Sequence, residues 1–324
     1  DGAATVDQIQ TLETALGNGA GAVATTVEDG FTITDVYSND DVDAIGDELA
    51  SGGLVDRAAT VNITGAITID NIDAAAAAYA ETDDPATLGT HITYTLEDAA
   101  DTLTGNVATV NAAISSSITD ATVTVAQAEL LLALESFDDT YTISDSLAGL
   151  GGAAAGTLEG AVSVTLADDI TNLDEAGDVT AYEAITEIDT IVVSGDLADY
   201  DAADAVLADA DTVNIDDADL DATDAAAIVA ISDAAAGDVV YGLVDDIANL
   251  DLTDADILAT VAGASTIATE AGVANTVETV EALIAAATNA SAVTYDLDDT
   301  IEAITNASDA VYAGATVVTL TDAD

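Results

Sequence analysis

The chain has 324 residues, of which half are hydrophobic and only 3% are aromatic, and it contains no Cys, Met or Trp. Its formal net charge is −62, because 63 acidic residues are accompanied by one basic residue, Arg57. This charge excludes nucleic acid and anionic membranes as partners, since binding to phosphates requires Lys and Arg. The high hydrophobicity indicates a folded chain, and the absence of cysteine excludes a disulfide framework.

So large a negative charge must be compensated. A single Arg cannot do so through salt bridges, which leaves bulk salt, charges spread over a long body, or metal cations. Carboxylate oxygens are the ligands that Ca²⁺ prefers, so Ca²⁺ is the cofactor that the composition predicts. No run of 18 or more apolar residues occurs, and the sequence therefore predicts no transmembrane segment.

The first predicted strand is "FTITD", from Phe31 to Asp35, which alternates apolar and polar residues and ends in Asp. A further strand lies between Val61 and Asp70, where the sequence leaves the register ambiguous. We expect residues 1–58 to form an N-terminal helical or capping region with the first strand. Residues 59–324 form the repetitive region.

From residue 93 onward one phrase recurs in the chain. Each copy has an aromatic residue, an aliphatic residue at +2, Asp at +4 and an aliphatic residue at +9. A fifth copy, "TIVVSGDL", has Gly195 in place of the Asp, which gives a period of about 50 residues. The four full copies are "TYTLEDAADTL" (Thr93–Leu103), "TYTISDSLAGL" (Thr140–Leu150), "VYGLVDDIANL" (Val240–Leu250) and "TYDLDDTIEAI" (Thr294–Ile304).

Plainer strands lie between these copies, so that an apolar-x-apolar strand recurs every 22 to 28 residues, in most copies followed by Asp. They are "SSITD" (Ile118, Asp120), "SVTLAD" (Val164, Leu166, Asp168), "TVNIDD" (Val213, Ile215, Asp217), "STIATEA" (Ile267, Thr269) and "VVTLTD" (Val318, Leu320, Asp322).

The segments between strands predict helices where apolar residues recur at i, i+3 and i+4. The Gly-rich segment Gly149–Ala161 predicts an irregular connector instead. The predicted helices are Thr124–Phe137, Asp221–Gly237, Asp251–Ala264 and Asn275–Ser291.

Alternation of strands and helices predicts an α/β fold. Short strands at near-constant spacing favour a repetitive solenoid with one long parallel β-sheet, helices or irregular turns on the other side, and 22 to 28 residues per coil. The alternative is an open doubly wound parallel sheet, which would show longer strands, longer crossovers and a Gly-rich first turn.

The repeated Asp has two interpretations. Residues at 0, +2 and +4 share a strand face, so Asp145 lies on the face of Tyr141 and Ile143 and must sit just past the strand end to avoid unpaired burial. There it can cap backbone N–H groups. Alternatively, equivalent Asp residues of stacked strands lie about 4.8 Å apart and bind Ca²⁺ between them. The predicted metal ligands are Asp98, Asp120, Asp145, Asp168, Asp169, Asp216, Asp217, Asp245, Asp246, Asp298, Asp299 and Asp322.

The sequence predicts no catalytic residue. The single histidine, His91, precedes a strand, and the single cation, Arg57, offers little on which to build an active site. Sugar-cleaving grooves are usually lined with Trp, which is absent. No Gly-rich phosphate loop followed by Lys occurs.

The Ala/Thr/Asp-rich strands, with helices such as "TVAQAELLLAL" between them, resemble the repeat regions of large acidic secreted bacterial surface proteins of the S-layer and adhesin types. The resemblance covers most of residues 90–324. Such proteins are typically Lys-poor, Cys-free and calcium-dependent, and the resemblance implies an extracellular structural or adhesive role. The calcium-binding nonapeptide GGxGxD of RTX proteins does not occur.

We therefore expect a non-enzymatic extracellular protein that self-assembles into a surface layer or filament or serves as a cell-surface stalk. Its expected partners are copies of itself and divalent cations. One alternative is an adhesion module that binds a glycan, ice or a mineral through exposed threonines such as Thr140 and Thr142. The other is a polysaccharide-degrading solenoid enzyme, for which only Arg57 could supply a basic group.

Overall fold

The structure is a computed structural model that describes Thr5 and residues 8–9, 32–36, 60–72, 92–173, 176–269 and 272–321. Arg57, His91, Asp322 and the predicted domain boundary at residues 58/59 lie outside this part of the chain. The chain divides into two compact units. The first comprises Asp1–Ser144 with Ala153–Ser163, and the second comprises Asp145–Gly152 with Val164–Asp324.

In the first unit, strands β1 to β4 form one parallel sheet in chain order. Two parallel bridges, Ser116–Phe137 and Val123–Ile143, add short contacts beyond it. The elements are β1 (Thr32–Val36), β2 (Thr60–Ile67), β3 (Ile92–Asp98), α1 (Ala100–Gly105), α2 (Val107–Ala112), β4 (Ser115–Ile118), α3 (Val125–Leu132) and β5 (Thr142–Asp145), the last of which ends in the second unit.

In the second unit, β6 to β9 also follow one another in a parallel sheet. A further parallel sheet has the order β10-β11-β13-β12, and β14 also pairs with β13. The elements are α4 (Leu147–Gly151), β6 (Ser163–Asp169), α5 (Ala176–Glu183), β7 (Thr190–Gly195), β8 (Thr212–Ile215), α6 (Ala225–Ala234), β9 (Asp238–Val240), β10 (Gly242–Val244), α7 (Ala255–Gly263), β11 (Thr266–Ala268), β12 (Ala274–Asn275), α8 (Val277–Ala286), β13 (Ala292–Asp299), α9 (Ile301–Asn306), α10 (Asp309–Gly314) and β14 (Ala315–Leu320).

The core follows the two-residue period of the strands. In all four full copies of the phrase the aromatic residue and the aliphatic residue at +2 are at most 4% exposed, as for Tyr94 and Leu96. The aliphatic residue at +9, such as Leu103, is also buried and reaches this core from the helix or turn that follows the strand. The repeated apolar residues are therefore packing residues.

The predicted helices are present, and three of the four begin at a residue whose side chain caps the helix. Thr124 and Gln127 form a capping box at the start of α3. Asp254 and Thr276 accept backbone N–H bonds at the starts of α7 and α8, contacts that typically stabilise a helix by about 1 kcal/mol each. Consecutive helices α6, α7 and α8 pack on one another.

The predicted α/β class with parallel strands is confirmed, and the described strands are distributed over several sheets. Residues 155–160 form turns, as expected for the Gly-rich connector, but the prediction of irregular structure is wrong for its first three residues, 149–151, because they belong to α4. None of the helices in the described ranges has the length and apolar character needed to cross a membrane.

Candidate functional site

The strand-end carboxylates each contact two coils. Asp168 shows the arrangement: its Oδ1 accepts the N–H of Asp169 at 2.9 Å, and its Oδ2 accepts the N–H of Leu147 at 2.8 Å. Leu147 is the first residue of α4, one coil earlier in the chain. The carboxylate therefore caps the helix of the preceding coil with one oxygen and its own turn with the other.

Six of the predicted ligands make this contact with a residue 20 to 29 positions earlier. Several of these carboxylates accept hydrogen bonds from two donors. They therefore act as caps between neighbouring strands. The pairs, from carboxylate Oδ2 to backbone N, are Asp98–Ile69 (3.0 Å), Asp120–Ala100 (2.5 Å), Asp168–Leu147 (2.8 Å), Asp217–Leu197 (2.5 Å), Asp245–Ala222 (2.9 Å) and Asp299–Val277 (3.0 Å).

The register between strands explains why the caps reach backward. Asp98 on β3 pairs with Ile118 on β4, two residues before the equivalent Asp120. The same offset places Asp168 opposite Val193. Equivalent Asp positions are thus separated by roughly 8 Å, from a 4.8 Å strand spacing and two residues of rise. The prediction that they lie directly opposite one another at about 4.8 Å is wrong, because the register is offset.

A second set of carboxylates at the strand starts was missed from the sequence. Asp189 Oδ2 accepts the N–H of Val164 at 3.0 Å, and Asp211 Oδ2 accepts the N–H of Ile191 at 2.8 Å. Asp139 Oδ2 likewise accepts the N–H of Ile118 at 3.1 Å. Each of these three Asp residues is followed by Thr in the sequence, and this Asp-Thr pair was the available signal.

The other predicted ligands have different surroundings. Asp145 Oδ1 accepts the N–H of Ser146 at 2.8 Å. Asp169 Oδ1 accepts both donors of Thr171, and Asp246 Oδ1 accepts the N–H of Ala248 at 3.1 Å. Asp216 is exposed, and Asp298 has a buried Oδ1 without a hydrogen-bond partner.

Asp145 also constrains the turn beside it. A Cβ on Gly149 would lie 2.4 Å from the Asp145 carboxyl group, so a larger residue at this position would require that carboxyl group to move. In the copy that lacks the Asp, a Cβ on Gly195 would lie 2.7 Å from Cγ2 of the fully buried Ile170. Gly195 thus replaces the Asp because Ile170 packs against its α-carbon.

Across the ranges that the structure describes, no three His, Cys, Asp or Glu side chains converge where they could hold a metal ion. The twelve carboxylates stay a prediction as calcium ligands.

The repeated tyrosines form a third row of equivalent contacts. Each hydroxyl donates to a backbone carbonyl 15 to 19 residues later, on the opposite side of its own coil. The bonds run from Tyr94 to Thr109 (2.8 Å), Tyr141 to Thr157 (2.8 Å), Tyr241 to Thr260 (2.8 Å) and Tyr295 to Val311 (2.5 Å). The tyrosines therefore connect strand and connector within a coil, in addition to filling the core.

A glycine lies beside the aromatic side chain in three of these coils. A Cβ on Gly160 would lie 2.7 Å from the Tyr141 hydroxyl, and one on Gly263 would lie 2.6 Å from the Tyr241 hydroxyl. On Gly314 it would lie 2.9 Å from the ring of Tyr295. The connector thus approaches the aromatic residue more closely than an alanine would allow.

Burial changes the acidity of these groups. It raises the pKa of Tyr141 and Tyr295 above the ordinary value, and it raises the pKa of Tyr241 to about 12. Hydrogen bonds from the hydroxyl and the N–H of Thr171 hold the pKa of Asp169 below its usual range. Tyr141, Tyr241 and Tyr295 therefore stay neutral and can donate at physiological pH.

The outward face of the strands is rich in small polar side chains, several of which bond sideways. Thr93 Oγ1 donates to Asn62 Oδ1 at 2.6 Å, and Asn62 Nδ2 donates to Thr34 Oγ1 at 3.2 Å. Asn214 Nδ2 donates to Ser194 Oγ at 3.3 Å in the second unit. This face is polar, regular and partly exposed.

A cleft of about 560 Å³ in the second unit lies beside α6 and α7. Its titratable groups are Asp233, Asp238 and Tyr241, and the hydroxyl of Tyr241 is already bonded to Thr260. No family model, curated protein or solved structure matches the chain.

Proposed function

We propose that this chain is a non-enzymatic structural protein of the cell exterior that self-assembles into a surface layer or filament, or forms a stalk, with divalent cations offsetting its charge. The proposal is based on the hydrogen bonds that the repeated polar residues make. The conspicuous Asp and Tyr residues of the repeat bond to the backbone of their own or the preceding coil, as with Asp168 and Tyr141. A chain whose repeated polar groups bind one coil to the next suits a mechanical role.

We further propose that the coils within each unit stack as a solenoid. Strands β6 to β9 lie in chain order, whereas a doubly wound sheet reverses its strand order at a switch point. The recurrence of the same cap from one coil to the next supports nearest-neighbour stacking, since each coil of a solenoid contacts only its neighbours. A single solenoid through residues 59–324 stays a prediction.

The net charge is the reason why the proposal includes divalent cations. A formal charge of −62 destabilises any compact or assembled state by self-repulsion. Exposed carboxylates such as Asp199, Asp201 and Asp216 are available to ions from solution. Ca²⁺ suits such oxygen ligands and would reduce repulsion both within and between copies. The extracellular location rests on the resemblance to acidic bacterial surface proteins.

Electron microscopy of the purified chain with CaCl₂, with MgCl₂, and with NaCl plus EDTA at matched ionic strength tests this proposal. We expect ordered layers or filaments with Ca²⁺ and their dissociation on chelation. Assembly that is equal in all three buffers would contradict the calcium part. Monomeric protein in all three would contradict the self-assembly itself.

The hydroxyl-rich strand face favours a second candidate, an adhesion module. Thr34 of β1, Asn62 of β2 and Thr93 of β3 lie partly exposed on three adjacent strands of one sheet and are joined by hydrogen bonds, and such a row of polar groups suits a glycan, ice or mineral surface. Direct binding of the chain to chitin, to calcite or to ice, compared with a Thr34→Glu and Thr93→Glu double variant, tests this candidate. Binding that the double variant retains would contradict this assignment.

A further inference from the structure

The cleft beside α6 and α7 reaches the core face of the sheet in the second unit. Val239 of β9 pairs in register with Val213 of β8, which is fully buried. Because paired residues of parallel strands point to the same face, Val239 also lies on the core face. It is nevertheless only partly buried, and it lines the cleft of about 560 Å³. The layer that covers the sheet is therefore open at Val239.

Apolar side chains form much of the lining of this cleft. Its volume of about 560 Å³ lies within the range of roughly 300–1,000 Å³ that is typical of small-molecule sites. Val240 is 39% exposed, so its side chain is available to a ligand. The apolar residues that line the cleft are Val229, Val239, Val240 and Ala259. The cleft can therefore hold an apolar group of a small molecule.

The hydroxyl groups that line the cleft each donate to a backbone carbonyl. Ser232 Oγ donates to the carbonyl of Ile228 at 2.9 Å, and Ser265 Oγ donates to that of Tyr241 at 2.6 Å. The Tyr241 hydroxyl donates to the carbonyl of Thr260 at 2.8 Å. A hydroxyl whose proton is used in this way can only accept a further hydrogen bond. These three groups therefore favour a ligand that donates hydrogen bonds.

Negative charge is concentrated at the same cleft. Ser232 and Asp233 lie in the last turn of α6, and Gly263 is the last residue of α7. The carboxyl-terminal end of a helix carries a partial negative charge, and neither last turn contains a basic residue. Asp233 and Asp238 add two exposed carboxylates, for which the described part of the chain provides no hydrogen-bond partner. The cleft therefore favours a cation.

We propose that this cleft binds a small organic cation in which an ammonium group is joined to an apolar chain or ring. The ammonium group donates to the carboxylates of Asp233 and Asp238 and to Ser232 Oγ, while the apolar part lies against Val239 and Val240. Hydrogen bonds between charged groups are typically stronger than those between neutral groups. The site goes beyond the proposed structural role, since it requires no contact between copies.

Two other occupants fit the cleft less well. A metal ion would leave the apolar lining without a contact, and within the described ranges no three acidic side chains converge on an ion. A second copy of the chain could supply a permanently charged basic side chain from Arg57 alone, and two copies that each carry a formal charge of −62 repel one another. A free small molecule avoids both difficulties.

Equilibrium dialysis of the 324-residue chain against phenethylammonium tests the proposal. EDTA removes divalent cations that would compete for the carboxylates, and molar NaCl suppresses the general attraction of cations to the charged chain. We expect saturable binding of one phenethylammonium per chain. Hydrocinnamate, which has the same ring but carries a carboxylate, is expected not to bind. Ethylammonium, which lacks the ring, is expected to bind roughly tenfold more weakly, because it buries less apolar surface.

A double variant locates the ammonium group. Asp233→Asn with Asp238→Asn is expected to raise the dissociation constant of phenethylammonium roughly tenfold or more, because the amides carry no charge. The matched control is Asp199→Asn with Asp216→Asn, which removes the same charge from exposed positions outside the cleft. We expect this control to bind phenethylammonium as the unaltered chain does.

A filled cleft gives a second readout. Ala259 is exposed on α7 and lines the cleft, so Ala259→Phe is expected to abolish binding by occupying the space of the ligand. The control is Ala226→Phe, because Ala226 is exposed on α6 but does not line the cleft. Circular dichroism checks that both variants are folded. Binding that folded Ala259→Phe retains would place the ligand elsewhere and overturn the assignment.

Three further outcomes would overturn the proposal. They are uptake of phenethylammonium that does not saturate, equal binding of hydrocinnamate, and unchanged affinity in the folded Asp233→Asn and Asp238→Asn double variant. The first two use the unaltered chain, so they decide the question even where a variant does not fold. Saturable binding by a chain that forms no calcium-dependent layers would support this site and contradict the proposed self-assembly alone.

Discussion

Asp168 completes a helix start that belongs to the preceding coil. Its Oδ2 accepts the N–H of Leu147 at 2.8 Å across 21 residues of sequence. Leu147 is the first residue of α4, where the N–H groups have no partner inside the helix. The bond therefore joins two coils through a group that would otherwise be unpaired.

Replacing Asp168 by Ala is expected to destabilise the protein by about 1–3 kcal/mol, because the buried N–H of Leu147 loses its acceptor. Asp168→Asn is expected to cost less, since an amide keeps one acceptor oxygen. Urea unfolding followed by circular dichroism measures both effects.

The control is Asp219→Ala, which removes the same negative charge from an exposed position. Because this change relieves repulsion without removing a cap, we expect no loss of stability. Equal effects of Asp168→Ala and Asp219→Ala would show that charge alone, and not the cap, determines the result.

Gly263→Ala is expected to destabilise the protein because its Cβ would lie 2.6 Å from the Tyr241 hydroxyl. The cost should shrink in a Tyr241→Phe background, where that hydroxyl is absent. A double-mutant cycle on unfolding free energies is expected to give a coupling of about 0.5–3 kcal/mol. Additive effects would refute the close contact between this glycine and the tyrosine.

Gly195→Asp, which restores the acid of the repeated phrase, is expected to destabilise the protein instead of adding a cap. Its Cβ would lie 2.7 Å from the buried Ile170 side chain, and such overpacking typically costs about 1–3 kcal/mol. The control is Gly177→Ala in α5, where a Cβ meets nothing within 4 Å and alanine favours the helix. Thermal unfolding that ranks Gly195→Asp at or above the wild-type chain would contradict the packing role of Gly195.

Stability is expected to fall in alkaline solution. Burial raises the pKa of Tyr241 to about 12 in the folded state, whereas an unfolded tyrosine titrates near pH 10. A raised folded-state pKa gives stability that is complete below about pH 10 and is lost as the pH rises through about 12. Tyrosinate absorbance and circular dichroism followed together should show ionisation of the buried tyrosines coincident with unfolding.

A large part of the repeat could be predicted from the sequence. Tyr141 and Ile143 were expected to share the buried face of their strand, and both are at most 4% exposed. The period of two in strands and the burial of large apolar side chains determine this result. A cap was one of the two interpretations of the repeated Asp, and six such Asp residues make one.

The partner of each cap could not be predicted, because it depends on the register between strands. Register is determined by contacts distant in sequence, and the two-residue offset that pairs Asp98 with Ile118 leaves no mark within either strand. The role of Gly195 depends on Ile170, 25 residues away. Asp189 and Asp211 were missed because they precede strands, where the sequence pattern emphasises apolar residues.

Each cap is formed by a residue that is synthesised later than the coil it caps, so the caps form in a fixed order during synthesis. Asp120 serves Ala100, Asp168 serves Leu147 and Asp245 serves Ala222, always the later residue serving the earlier. A coil that has just emerged from the ribosome therefore waits for about one further coil of synthesis before its helix start is satisfied. Conversely, a protease that removes one coil from the carboxyl-terminal side removes the cap of the preceding coil. We therefore expect digestion to proceed coil by coil from that side.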